Sequence, residues 1–169
     1  MNRTLFVPLS ALTVFLALLL AGSTASAQTA TDTFDVTITV ENSCTITVNN
    51  LDFGDVNDLT PIIAASTTGS VTCTAAAPVT VSFNVGSGGG TYVERLMAKG
   101  ADTIAYNLHS DAAATGANVL GDGSGVTLTI GITSTGGADP FSVFGATVAA
   151  QNPKPIGDYS STVTATATF

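Results

Sequence analysis

Two stretches far apart in this chain, Phe34 to Val40 and Tyr159 to Phe169, alternate apolar and polar residues almost without error. Phe34, Val36, Ile38 and Val40 share one face, with Asp and Thr between them. Tyr159, Val163, Ala165, Ala167 and Phe169 share another, with Ser and Thr between them. Period two is the geometry of a strand with one buried face. The first stretch joins the rest of the chain through a few polar residues, so its apolar face is buried either in its own domain or in a neighbour's. What the chain does depends on which.

Residues 1–27 have the pattern of a secretory leader. Asn2 and Arg3 make a short basic start, Leu5 to Leu20 an apolar run, and Ala25, Ser26 and Ala27 a small-residue site that predicts cleavage before Gln28. No later stretch approaches the roughly 20 apolar residues needed to span a bilayer. About 142 of the 169 residues remain after cleavage, enough for one domain with a real core. Thr, Ser, Gly, Ala and Val dominate and Trp is absent, a β composition. Only Arg95, Lys99 and Lys154 are basic in that part, and losing Arg3 takes the formal charge from −8 to about −9. Such a balance repels nucleic acid and anionic lipid, and argues against stable membrane insertion or a nucleic-acid partner.

Cys44 and Cys73 are the only cysteines. An even pair in an exported chain predicts a disulfide, because a metal site wants more soft ligands and the single His109 does not complete one. Closing a loop of roughly 30 residues removes unfolded-state entropy worth about 3.6 kcal/mol in the chain-entropy model.

Further alternating sets follow along the chain. Cys44, Ile46 and Val48 form one. Leu51 to Gly54 reads as a short strand ending in a turn, and Asp55 to Pro61 as a loop. Strands are expected over Gly69 to Thr74, Val79 to Val85, Leu96 and Met97, Ile104 to Leu108, and Val126 to Thr133, with a weaker one over Val143 to Val148. Gly136 to Pro140 reads as punctuation, and Ala112 to Gly125 as a small, polar surface loop. The alanine run Ala112 to Ala114 is too short for a helix. These signals predict an all-β antiparallel sandwich or barrel with three segments: a leader at 1–27, an N-terminal strand at 28–41 and a body at 42–169.

The search for chemistry yields little. No G-x-S-x-G context surrounds a serine, and His109, which follows a strand-like segment next to a polar loop, is expected at a surface or edge. Asp52, Asp55 and Asp58 miss the spacing of a calcium loop. With three Tyr, eight Phe and no Trp, aromatic platforms for sugar rings are sparse. Gly121 to Gly125 follows no strand-to-helix pattern and makes no phosphate cradle. The reading is a non-enzyme with no cofactor and no metal.

Taken in order, the elements resemble the spore coat protein U domain family, which includes subunits of archaic chaperone-usher pili. The resemblance rests on the alternation before Cys44, Leu51 to Gly54, Val71 to Thr74, Arg95 with Met97, Ile104 to Leu108, Val143 to Gly145, and Gly157 to Val163 running on to Phe169. Val119, Leu120 and Gly121 stand where family members often carry Trp and Gly. His109 stands where an aromatic residue is common, and so is expected to fill a structural slot.

The resemblance implies an immunoglobulin-like sandwich lacking its final strand, completed by a donated one. It also implies a structural pilus subunit exported through the periplasm to the cell surface, with a periplasmic chaperone, an outer-membrane usher and other pilus subunits as partners. Phe34, Val36, Ile38 and Val40 would then be the donated plugs. Tyr159, Val163, Ala165, Ala167 and Phe169 would form the groove edge and the strand read by the chaperone. Two other readings compete: a self-complemented coat or matrix protein, and a secreted carbohydrate-binding module using loops near Tyr92 and Tyr106.

Overall fold

Alternating apolar residues form a stable structure only when neighbouring strands satisfy their backbones and a second layer covers their apolar face. In a computed structural model, which describes residues 26–113 and 118–169, the chain divides into two units, Met1–Thr39 and Val40–Phe169. Most of the expected leader therefore lies outside the described residues. In the first unit, residues 26–39 form no strand and all are exposed. Phe34, Val36 and Ile38 are 86%, 83% and 88% exposed, so the strand expected from their alternation does not form within this chain. A lone segment with the right pattern has no ladder to join.

The second unit is all β among its described residues, with eight strands in two antiparallel sheets, the arrangement of an immunoglobulin-like sandwich. Strands β1 (Cys44–Val48), β2 (Ala64–Cys73), β7 (Ala138–Thr147), β5 (Asp102–His109) and β4 (Arg95–Lys99) make one sheet, in the order β1-β2-β7-β5-β4. Strands β6 (Ile130–Thr133), β3 (Pro78–Phe83) and β8 (Ala165–Thr168) make the other, in the order β6-β3-β8. Val71 and Cys73 of β2, Val79, Val81 and Phe83 of β3, Tyr106 and Leu108 of β5, and Phe141 and Val143 of β7 meet in one core. Phe83 and Phe141 touch edge to face across the two sheets, with ring centroids 6.5 Å apart. Between β4 and β5, Lys99 pairs with Asp102, and Gly100 at φ +61° fills the first position of a two-residue hairpin turn.

The structure departs from the sequence reading at several elements. Leu51 to Gly54 is not a strand, although its burial still alternates. β2 begins at Ala64, and β7 is a ten-residue strand that takes in Ala138 to Pro140, expected as punctuation. Pro140 is tolerated because it lies in the half of β7 that pairs only with β2, where its missing N–H interrupts no second ladder. The strand expected from Val126 shrinks to Ile130–Thr133, with Val126 64% exposed. Within the expected surface loop, Val119 and Leu120 are fully buried. His109 is not at the surface but 5% exposed at the end of β5, consistent with a structural slot.

Two covalent and polar ties hold the frame. Cys44 and Cys73 face each other in the β1–β2 register and form the disulfide, pinning a strand that has only one ladder neighbour. Arg95, completely buried at the start of β4, has no carboxylate partner among the described residues and directs its guanidinium at carbonyl and amide oxygens. Nε and Nη2 donate to Asn84 O (both 3.1 Å), Nη2 also to Leu120 O (2.7 Å), and Nη1 to Asn107 Oδ1 (2.6 Å) and Tyr92 O (3.2 Å). Burial lowers its pKa below the usual arginine value, but a guanidinium stays charged in proteins. This one side chain ties β4 to the loops before it and after β5.

Replacing both cysteines by serine is expected to lower unfolding free energy in urea by about 3.6 kcal/mol and to speed amide exchange across Cys44–Val48 more than in β7. Arg95→Lys, which keeps the charge but not the planar five-donor fork, is expected to cost roughly 2–4 kcal/mol in the same measurement, because buried carbonyls lose their donors.

Candidate functional site

β1 ends its sheet, and the chain past it folds back over the core. Asn49 N still donates to Thr68 O at 3.0 Å, and then Leu51 and Phe53 turn inward while Gly54 N closes the bend on Asp52 Oδ1 at 2.8 Å. Their seat is Gly145 of β7. A Cβ there would lie 2.9 Å from both Leu51 methyls and from Phe53 Cζ, so a larger residue would force these side chains to shift. Phe53 meets Tyr106 edge to face at 6.3 Å. Two elements more than 90 residues apart that looked independent in the sequence are thus a single contact, with Leu51 and Phe53 as one lip of a cleft.

The opposite lip is the approach to β8. Ser160 exchanges two backbone bonds with Ala98 (3.1 and 2.9 Å), Thr162 O accepts from Ser87 N (3.0 Å), and Thr164 O accepts from Asn84 N (3.1 Å). Thr162 N and Thr164 N donate to Ser87 Oγ and Asn84 Oδ1. Backbone groups alternate sides along a strand. With the even-numbered residues paired toward β3 and β4, the N–H and C=O groups of Tyr159, Ser161 and Val163 point the other way. Among the described residues they have no hydrogen-bond partner. Tyr159 is steadied from below by its hydroxyl donating to Pro155 O (2.9 Å) and by Lys99 Nζ, 5.8 Å from its ring centroid. Desolvation, then Asp102, raises its phenol pKa.

Between the lips lies a cleft of about 490 Å³. Leu51, Phe53, Phe83, Tyr106, Leu108 and Val143 form its apolar floor and sides, while Asn49, Asn50, Asp52 and Ser160 to Thr162 form its rim. Among the described residues no three His, Cys, Asp or Glu side chains gather as a metal centre would need. An apolar trough bordered by a chain segment with unpaired backbone groups has one evident chemical capacity, which is to take in an extended strand with alternating apolar side chains.

Of the residues expected at a site, Tyr159 and Val163 line the cleft. Ala165 and Ala167 continue the same half-buried face along β8, and Phe169 is 56% exposed at its end. Phe34, Val36, Ile38 and Val40 lie exposed outside any strand. The floor residues were visible in the sequence only as members of separate strands and family elements, because they converge from both sheets and nothing local marks them as neighbours. The carbohydrate-binding reading is corrected at Tyr106, which is 4% exposed with its ring against Phe53 and so offers no sugar-stacking face.

No curated protein compared with the chain matches it. Among solved structures, it is similar to the crystal structure of the CsuC–CsuE chaperone-tip adhesion subunit pre-assembly complex from archaic chaperone-usher Csu pili of Acinetobacter baumannii. The TM-score is 0.56 at 18% sequence identity, over 78% of this chain and 40% of the matched one. The chain thus spans less than half the length of that relative, and at this identity the likeness establishes a shared fold. The family model for the Spore Coat Protein U domain matches residues 30–166, all of the sandwich but the end of β8 together with most of the segment ahead of it, and the chain belongs to that family.

Proposed function

We propose that this chain is a non-enzymatic structural subunit of a surface pilus, carried through the periplasm by a chaperone, handed to an outer-membrane usher and polymerised by donor-strand exchange. The observation that carries this reading is a complementary mismatch within one chain. The sandwich has a cleft whose lip lacks a ladder partner, while the segment ahead of it has a strand pattern and no sheet. In the assembly, residues 28–41 of one copy lie in the cleft of the next, with Phe34, Val36, Ile38 and Val40 as plugs against the floor. Fully burying four such side chains contributes about 6–12 kcal/mol as an upper bound. Asp35 and Glu41 then face outward, and a one-residue slip buries charge, which sets the register.

Tyr159 to Phe169 serves in this reading as the edge that the chaperone occupies first and the incoming strand later. The matched crystal structure, a chaperone with a pilus tip subunit, fits that sequence of events. The self-complemented alternative needs residues 34–40 to be buried in the chain's own sheet, and their exposure favours donation.

Refolded chain lacking residues 28–41, mixed with a peptide of those residues, is expected to form a one-to-one complex with a raised unfolding midpoint. A peptide carrying Asp in place of Ile38 should bind at least tenfold more weakly. Absence of any complex with the unaltered peptide, measured by calorimetry and size exclusion, would end the donor-strand reading.

A further inference from the structure

The chain enters β1 through Asn42 and Ser43, and both are fastened to the turn that follows β2. Asn42 Oδ1 accepts from Thr74 Oγ1 at 3.1 Å and from Ala75 N at 3.0 Å. Ser43 N donates to Thr74 Oγ1 at 3.0 Å, and Thr74 N donates to Ser43 O at 2.9 Å. The Cys44–Cys73 bridge is the next rung. These bonds prolong the β1–β2 pairing beyond its last strand pair and hold residues 42 and 43 against the turn after β2.

A chain that carries both an open cleft and a strand to fill it has a competing outcome. A hairpin turning through Glu41, Asn42 and Ser43 would set Val40 beside Cys44, Ile38 beside Ile46, Val36 beside Val48 and Phe34 beside Asn50. Val48 and Asn50 are where the cleft begins. A short flexible tether gives an effective concentration in the millimolar range. Against micromolar subunits that is about a thousandfold advantage for self-insertion, or about 4.1 kcal/mol. Unless the turn is costly, a copy fills itself before it meets another.

We propose that Asn42, with Thr74 as its partner, is the specificity-determining residue that forbids this turn and so reserves residues 28–41 for a second copy of the chain. The inference rests on the donor-strand reading. A turn at 41–43 pulls residues 42 and 43 away from the turn after β2 and breaks the four hydrogen bonds. At roughly two- to tenfold each, together they are worth about 16- to 10,000-fold, a range that brackets the thousandfold needed. Asparagine suits the task because its amide oxygen accepts two donors at once. Aspartate keeps that acceptor, whereas alanine removes it.

The test uses the mature full-length chain at one micromolar concentration, in four forms: unaltered, Asn42→Ala with Thr74→Val, Asn42→Asp, and an insertion of three glycines between Glu41 and Asn42. Polymer and monomer are separated by size exclusion, and each monomer is offered a labelled peptide of residues 28–41. The double variant and the insertion are expected to raise the monomer fraction at least tenfold and to yield folded monomer that refuses the peptide. Asn42→Asp should behave as the unaltered chain does. Simple loss of stability does not mimic this result, because a weakened but empty cleft still takes the peptide. Where the double variant does not fold, the insertion decides, since it supplies a turn and leaves the latch in place. Polymerisation of the insertion or of the folded double variant at the unaltered level would overturn the proposal while leaving donor-strand exchange standing. An unaltered chain that neither polymerises nor takes the peptide would overturn both.

Discussion

A segment of chain whose backbone is satisfied on one side only is the constraint around which this molecule is built. Along Tyr159 to Val163, alternate residues are fully paired toward β3 and β4, while the others present N–H and C=O groups across an apolar trough. An edge of that kind, beside exposed core side chains, invites another strand. The immediate surroundings are consistent with an edge kept available. Its outer positions are Ser and Thr, the rim of the trough is polar, and the few formal charges of the chain are overwhelmingly negative, which favours solubility over collapse between clefts.

An open trough persists only if its lips are held from behind. β1 has a single ladder partner and is secured to it by the disulfide, and the chain beyond it rests on Gly145, where a larger residue would push Leu51 and Phe53 away. The opposite lip is steadied through its paired side, where Asn84 and Ser87 meet Thr164 and Thr162. Asn84 is in turn held by the buried guanidinium of Arg95. A buried charge satisfied entirely by carbonyl and amide oxygens does little for net stability compared with an apolar core, but it is demanding about geometry. The two devices act on opposite sides of the trough, and neither fills it.

Much of this was legible in the residues. The alternation over Val79 to Phe83 and over Ile104 to Leu108 became β3 and β5, because a period-two run with turn signals at both ends has few other folds open to it. The disulfide followed from cysteine number and the leader. The reading failed where tertiary context overrode local signal. Gly136 to Pro140 looked like a break, yet Ala138 to Pro140 opens one of the longest strands. Val119 and Leu120 looked like loop, yet they fill the core. In each case the deciding partner lies far along the chain.

By itself the sequence determined that the body is made of short strands around an aliphatic and aromatic core, that its two cysteines are joined, and that the segments around Phe34 and Tyr159 each have one apolar face. Those properties are local, set by side-chain alternation and composition. Only the tertiary structure decided that β1 and β8 end their sheets, that Leu51 and Phe53 settle on Gly145, and that a trough remains between them and Tyr159 to Val163. Ladder pairing joins residues dozens of positions apart, and whether a backbone edge is occupied depends on which strand lies beside it, which no local pattern encodes.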